Sequence, residues 1–222
     1  AHVQLMSDDV LHMSSVAFFY DAHVSVSSIQ PVSGMVSGGT LLMVHGSHFM
    51  QSSNAYCKFG GGLSSLARWL SSNLMECYSP ASTHEGYVQL QLSINDQDYS
   101  HEHVLFEYQH MAHVQHILPN KGGVEGGSML VVGGTGFSER SASLSYLVCR
   151  FNHTVVSAMY VSSMELHCIS PEHVAGMVRV EVSMNKQQFT NDGVQYEYQE
   201  VALVSVSPVG GPVKGGTVVM LS

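Results

Sequence analysis

The residues with the most obvious chemistry are four cysteines, Cys57 and Cys77 at a spacing of 20 and Cys149 and Cys168 at a spacing of 19. Such residues form disulfides, stay as buried thiols in a reducing compartment, or bind zinc. Four cysteines allow three connectivities. Zinc is the poorest fit, because neither pair is a close C-x-x-C with a second pair nearby. A second modification signal is Asn152-His153-Thr154, the sole N-x-S/T sequon and a candidate acceptor for N-linked sugar. The 14 His and 13 Met raise the question of a metal, with Met as a soft ligand for copper. His101 and His103 would share one face of a strand, and His110, His113 and His116 lie close in sequence. Asp96, Asp98 and Glu102 offer oxygen ligands, but "NDQDYS" lacks a full calcium loop set. No Ser or Cys nucleophile signature is present.

What positions these residues is an internal repeat. Pro31, Pro119 and Pro208 are 88 and 89 residues apart. Each is followed by a Gly (Gly34, Gly122, Gly211) and then a pair: Gly38-Gly39, Gly126-Gly127, Gly215-Gly216. "CKF" at 57–59 answers "CRF" at 149–151, "ECYSP" at 76–80 answers "HCISP" at 167–171, and "LSINDQDYSHEHVLFEY" at 92–108 answers "VSMNKQQFTNDGVQYEY" at 182–198. The cysteines occupy equivalent places in each unit, which favours one bridge within each: Cys57 with Cys77, and Cys149 with Cys168. Closing a loop of about 20 residues contributes on the order of 3 kcal/mol. Trp69 and Tyr160 each precede the second cysteine by eight positions. On an unbroken strand that spacing turns the ring inward near the bridge. The histidines are not shared between units: His101 and His103 face Asn191 and Gly193. A polar surface that uses His in place of Lys explains them better than a metal site, so no metal and no cofactor is expected.

Each unit reads as all-β. "YVQLQLSI" at 87–94 and "MVRVEVSM" at 177–184 alternate with period two, "NDQD" and "NKQQ" are hairpin tips, and turn residues recur about every 8 to 12 positions. No stretch of 12 residues carries a helical period with caps. About seven short strands per unit predict a β-sandwich. "SSVAFFYD" at 14–21 stands where "FEYQ" and "YEYQ" stand before the next unit. The expected organisation is therefore the last strands of a preceding repeat over 1–22, complete domains over 23–110 and 111–200, and the first strands of a following repeat over 201–222, a window on a longer array.

The run "SIQPVSGMVSGGTLLMVHGSHF", followed by "CKF", "CYSP" and "VLFEY", resembles an IPT/TIG domain. The resemblance covers residues 24–108 and 112–198, with both ends in part. It implies tandem immunoglobulin-like sandwiches of the kind found in plexin-type receptors, fibrocystin-like surface proteins and some transcription factors. The cysteine pair is similar to that of the extracellular members. The DNA-binding members use basic loops, which this chain lacks.

Composition sets the remaining limits. Among 222 residues only 8 are Lys or Arg, and the net charge is −9, which argues against a nucleic-acid partner. Charged residues make up 11%, less than half of the usual quarter. No apolar run approaches the roughly 18 residues of a membrane span, and the first residues lack the basic start of a signal peptide. The expectation is a non-catalytic extracellular structural repeat protein, part of a cell-surface stalk or glycosylated filament. Its expected partners are copies of itself or neighbouring repeats and a covalent glycan on Asn152. A receptor or adhesin ectodomain that binds a protein or glycan is the alternative.

Overall fold

The structure, a computed structural model, describes residues 2–7, 10–17, 22–200 and 205–221, with backbone alone for 2–17 and 221. The chain divides into two compact units, 1–33 with 37–108, and 34–36 with 109–222. Strands β1 (His2–Ser7) and β2 (Val10–Ala17) form an antiparallel hairpin. The reading of 14–21 as a terminal strand falls partly, at 18–21, outside the described residues, as do 201–204.

By strand order the first unit takes in 34–36 and Gln109 as well: it contains β3 (Ser25–Gln30), β4 (Ser33–Met35), β5 (Leu41–Ser47), β6 (Tyr56–Phe59), β7 (Leu63–Ser71), β8 (Leu74–Tyr78), β9 (Gly86–Ser93) and β10 (Val104–Gln109). The second repeats it: β11 (His113–Leu118), β12 (Lys121–Gly123), β13 (Met129–Thr135), β14 (Val148–Phe151), β15 (Thr154–Ser162), β16 (Glu165–Ile169), β17 (Gly176–Ser183) and β18 (Gln195–Gln199). The expected seven strands become eight, because a three-residue strand follows the repeat proline and, in the second unit, pairs in parallel with β18. Three residues with two glycines carry no periodicity to read. A second departure is a five-residue helix, α1 (Glu139–Ser143), capped by Ser138, whose side chain accepts from the Ser141 amide. Beyond them β19 (Val206–Ser207) pairs with β20 (Met220–Leu221).

Both units are almost entirely β and order their strands alike, β3-β5-β8-β7-β6-β9-β10-β4 and β11-β13-β16-β15-β14-β17-β18-β12. The long strand β7 joins the two layers. Leu63–Leu66 pairs with β6, and Ala67–Ser71 pairs with β8. In a flat sheet, strands on either side of a third lie about 9.5 Å apart. Here the Cα atoms of Cys57 on β6 and Cys77 on β8 are 6.4 Å apart. The sheet therefore folds over at β7 and closes into a sandwich. The same bend occurs in β15, where Thr154–Ser157 pairs with β14 and Ala158–Ser162 with β16.

Alternation along the strands fills the space between layers. In the first unit Leu42, Val44, Leu90, Leu92 and Phe106 are wholly buried. In the second, Leu130, Val132, Phe151, Leu166 and Tyr196 are. Aromatic rings meet edge to face, Phe59 with Phe106 at 5.5 Å and Phe151 with Tyr196 at 5.9 Å, a favoured arrangement.

The repeated glycine motif is a packing contact. Gly38 and Gly126 have φ of 76° and 72°, in the left-handed region. A Cβ on Gly38 would lie 2.6 Å from the Ala81 nitrogen and 2.7 Å from the Pro80 carbonyl carbon, and one on Gly126 would meet Pro171 and Glu172 equally closely. The opening turn thus rests on the backbone of the later "SP". Among the hydrogen bonds that hold it there, the Thr40 amide donates to Ser79 Oγ, and on the other side the Tyr108 hydroxyl fixes the Ser-Pro segment by donating to the Pro80 carbonyl at 2.8 Å. Ser128 with Ser170, and Tyr198 with Pro171, repeat both. The recurring phrases of the sequence are two sides of one contact. The third copy keeps the geometry at its start, with a cis Ser207–Pro208 bond like those at Pro31 and Pro119, and positive φ at Gly215 and Gly216.

Candidate functional site

The cysteines join as Cys57 to Cys77 and Cys149 to Cys168. Each bridge links the two strands flanking the bent strand, so it staples the corner where the layers separate. In register, Ser65 and Ala67 of β7 stand opposite Cys57 and Cys77, and Val156 and Ala158 of β15 stand opposite Cys149 and Cys168. All four cysteines are buried, which removes them from thiol chemistry at the surface. Trp69 is half-buried and its Nε1 donates to the Phe49 carbonyl at 3.1 Å, so it anchors the β5–β6 connection. The strand that carries it is not unbroken: it bends at Ala67 and shifts register after Trp69.

Asn152 sits at the tip of the β14–β15 hairpin with φ of 54°, at the place held by Gly60 (φ 61°) in the first unit. Its amide donates to the Arg179 carbonyl at 3.0 Å, as that of Gly60 does to Gln89 at 2.8 Å. Asn is among the few side chains that tolerate this region. Asn152, His153 and Thr154 are all exposed. The whole sequon is open to a modifying enzyme.

The histidines disperse. Residues 101–103 precede β10 outside any strand, so the expectation that His101 and His103 share a strand face is not met. The His101 ring instead lies 5.0 Å from His23. His116 packs over Gly133, where a Cβ would come within 2.3 Å of the ring. Among the described residues no three His, Cys, Asp or Glu are placed to hold a metal. The acids of "NDQDYS" are engaged within the turn: Asn95 Nδ2 donates to Asp98 at 2.8 Å, and the Tyr99 hydroxyl donates to Asp96 at 2.5 Å. Burial, reinforced by Asp96, pushes the Tyr99 phenol up to about 12.

Two polar features take on roles that the sequence motifs do not reveal. Between His101 and His103 stands Glu102, and its equivalent in the second unit is Asp192, also acidic. Asp192 accepts from the Val114 amide at 2.7 Å and faces His113 Nδ1 at 3.0 Å. Glu102 does the same for the first strand of its own unit. Burial acts to raise its pKa, but hydrogen bonds from Ser25, its own amide and Val26, with His23 nearby, hold the carboxyl below its ordinary value. The second feature is Asn95 and Asn185, whose Oδ1 atoms each accept from two backbone amides and so shape the hairpin tip. Both pairs occupy equivalent positions in the two units, Glu102 with Asp192 and Asn95 with Asn185.

An open depression of about 490 Å³ on the second unit is lined by Glu125, Glu172, Glu200 and His173, among others. His173 is already engaged there, stacked 5.0 Å from Tyr198 with its Nδ1 2.8 Å from the Val174 carbonyl. No helix among the described residues is long and apolar enough to cross a membrane.

The sequence profile of the IPT/TIG domain matches residues 25–108 and again 112–198. Among solved structures, the chain is similar to the full extracellular region of plexin A4 over domains 1 to 10, at 17% identity and a TM-score of 0.56, covering 96% of this chain and 20% of that one. A second plexin A4 ectodomain structure, domains 1 to 8, matches at 15% identity and a TM-score of 0.48 over 80% of this chain and 18% of the other. The chain is also similar to Yersinia pseudotuberculosis InvD, at 9% identity and a TM-score of 0.32, covering 86% and 61%. It thus spans about a fifth of the solved plexin ectodomains, and at these identities the likeness is one of fold.

Proposed function

Because the chain belongs to the IPT/TIG domain family, we propose that it is a non-catalytic extracellular structural repeat protein, a building block of a cell-surface stalk or glycosylated filament. The observation that carries this reading is what the two units share. They keep the residues that build a sandwich: the opening Pro and Gly, the bridged cysteines, the Ser-Pro and Tyr contact, the Asn at the hairpin tip and the acidic clasp. The exposed polar residues that could act on a substrate differ between them. Buried bridges support an oxidising compartment, and an exposed sequon supports sugar on Asn152. The hairpin at 2–17 and the repeat-like turn at 208–216 support the assignment of 1–22 and 201–222 to neighbouring repeats, with domains over 23–110 and 111–200.

Electron microscopy of the native material tests the assembly: periodic fibres or stalks are expected, and a monodisperse ectodomain that binds a specific soluble ligand overturns it. Intact-mass analysis tests the sugar, and an unmodified Asn152 peptide removes it. The receptor or adhesin reading is kept because the plexin ectodomain shares this fold across nearly the whole chain. A specific protein or glycan ligand would decide for it.

A further inference from the structure

The two units use different acids for the same clasp, and the difference is chemical. Asp192 is followed by Gly193, the sole Asp-Gly pair in the chain, and no Asn-Gly pair is present. An Asp carboxyl lies one methylene from the main chain, so attack on it by the next residue's amide nitrogen closes a five-membered imide. Glycine permits this most readily, because no side chain shields its nitrogen. Glu102, the counterpart, has one more methylene and is followed by His103. Its ring would have six members and closes far less readily. The fold adds three features that favour closure at Asp192. Its Oδ2 accepts from the Val114 amide at 2.7 Å, and its Oδ1 faces His113 Nδ1 at 3.0 Å. The Gly193 amide donates to nothing among the described residues, and residues 191–193 are exposed and outside any strand.

We propose that Asp192 is a site of spontaneous isomerisation to isoaspartate, assisted by His113. The Gly193 nitrogen bonds to Asp192 Cγ, and the Cγ–Oδ1 bond breaks. Oδ1 leaves as water, taking one proton from the Gly193 amide and one from the protonated His113 imidazole. The Val114 amide holds Oδ2, where negative charge gathers before the water departs. Water then adds to the main-chain carbonyl of the imide, and the bond from that carbon to the Gly193 nitrogen opens. The water and the proton consumed in the two steps balance, so no other reactant is needed. The chain now runs through the side-chain carbon, and the carboxylate sits on the former main-chain carbon. The clasp on the Val114 amide, at the start of β11, is lost. The second unit thus carries a slow chemical release for its first strand that the first unit lacks.

The test ages the whole chain at physiological temperature in mildly acidic buffer. Isoaspartyl methyltransferase, which methylates isoaspartate and not aspartate, then labels it, and peptide mapping places the label. Label is expected at position 192, rising with time, together with a lower-melting fraction. Asp192→Glu, which installs the acid of the first unit, should stay unlabelled. His113→Gln should label roughly tenfold more slowly, less than an enclosed proton donor provides because the His113 side chain is 67% exposed. That exposed position also covers the case in which Asp192→Glu fails to fold. A folded parent that gains no label at 192 overturns the site. Label at an unchanged rate in His113→Gln overturns the part given to His113, and a labelled chain that melts as before overturns the loss of the clasp.

Discussion

Tyr196 and Tyr198 stand two positions apart on β18 and are both buried, yet their hydroxyls fare differently. That of Tyr198 donates to the Pro171 carbonyl at 2.8 Å, and burial pushes its phenol up to about 12. That of Tyr196 is buried with no hydrogen-bond partner among the described residues, and it lies where a Cβ on Gly122 would be. The first unit has Phe106 at the equivalent place. An unpaired buried hydroxyl is unfavourable, whereas a paired one contributes roughly 1 kcal/mol. Tyr196→Phe is therefore expected to raise stability by about 1 kcal/mol and Tyr198→Phe to lower it by about as much. Urea unfolding of the two variants checks this, and equal signs would refute it. A second residue-scale expectation concerns acid. The Glu102 carboxyl is held below its ordinary value, so the folded state releases its proton more readily than the unfolded state. Its stabilisation is complete above the unfolded value of about 4.3 and is lost as pH falls through the lower folded value. Glu102→Gln should lower the melting temperature at pH 7, and the gap from the parent should close in strong acid. A gap that is constant from pH 7 to pH 2 would refute the role given to the charge.

At the scale of elements, the glycine pair separates two effects that a sequence cannot distinguish. Gly38 and Gly39 both have positive φ, 76° and 79°. A Cβ on Gly38 would strike the Pro80–Ala81 backbone, whereas one on Gly39 would meet nothing within 4 Å. Gly39→Ala should cost about 1–2 kcal/mol, the left-handed penalty alone. Gly38→Ala should cost more than about 3 kcal/mol, because backbone must move. Equilibrium denaturation of the two variants measures the difference, and equal losses would mean the turn relaxes away from the Ser-Pro segment. The bent strand is the other decisive element. It is one nine-residue strand in both units, and pairing divides each between two layers.

At the scale of the whole molecule, two copies of one architecture each carry a bridge across the bend. Removing the first with Cys57→Ala and Cys77→Ala is expected to lower stability by about 3 kcal/mol, from a closed loop of about 20 residues. Peptide mapping without reduction should recover Cys57 with Cys77 and Cys149 with Cys168. Recovery of all four as free thiols would remove the extracellular reading. The outer surfaces of the copies then diverge, one ion-paired by Arg68 and Glu76, the other apolar around Leu118 and Met159.

Fold class, repeat length and the identity of the recurring residues were legible because each rests on local chemistry. Alternation marks strands, glycine marks backbone that few other residues adopt, and a spacing repeated after 88 and 89 residues marks a unit. What those residues touch was not legible. Gly38 meets Pro80 across 42 positions, Tyr108 reaches the same proline across 28, and Glu102 clasps Val26 across 76. Such contacts depend on how the strands are ordered, and strand order is not written in periodicity. The bend of β7 and β15 follows the same logic, since only closure of the sandwich around its core forces one strand to serve two layers. The apolar row of the second unit shows the limit most plainly. Leu118, Val131, His167 and Met159 belong to four separate strands, and only the register of the folded sheet brings them side by side.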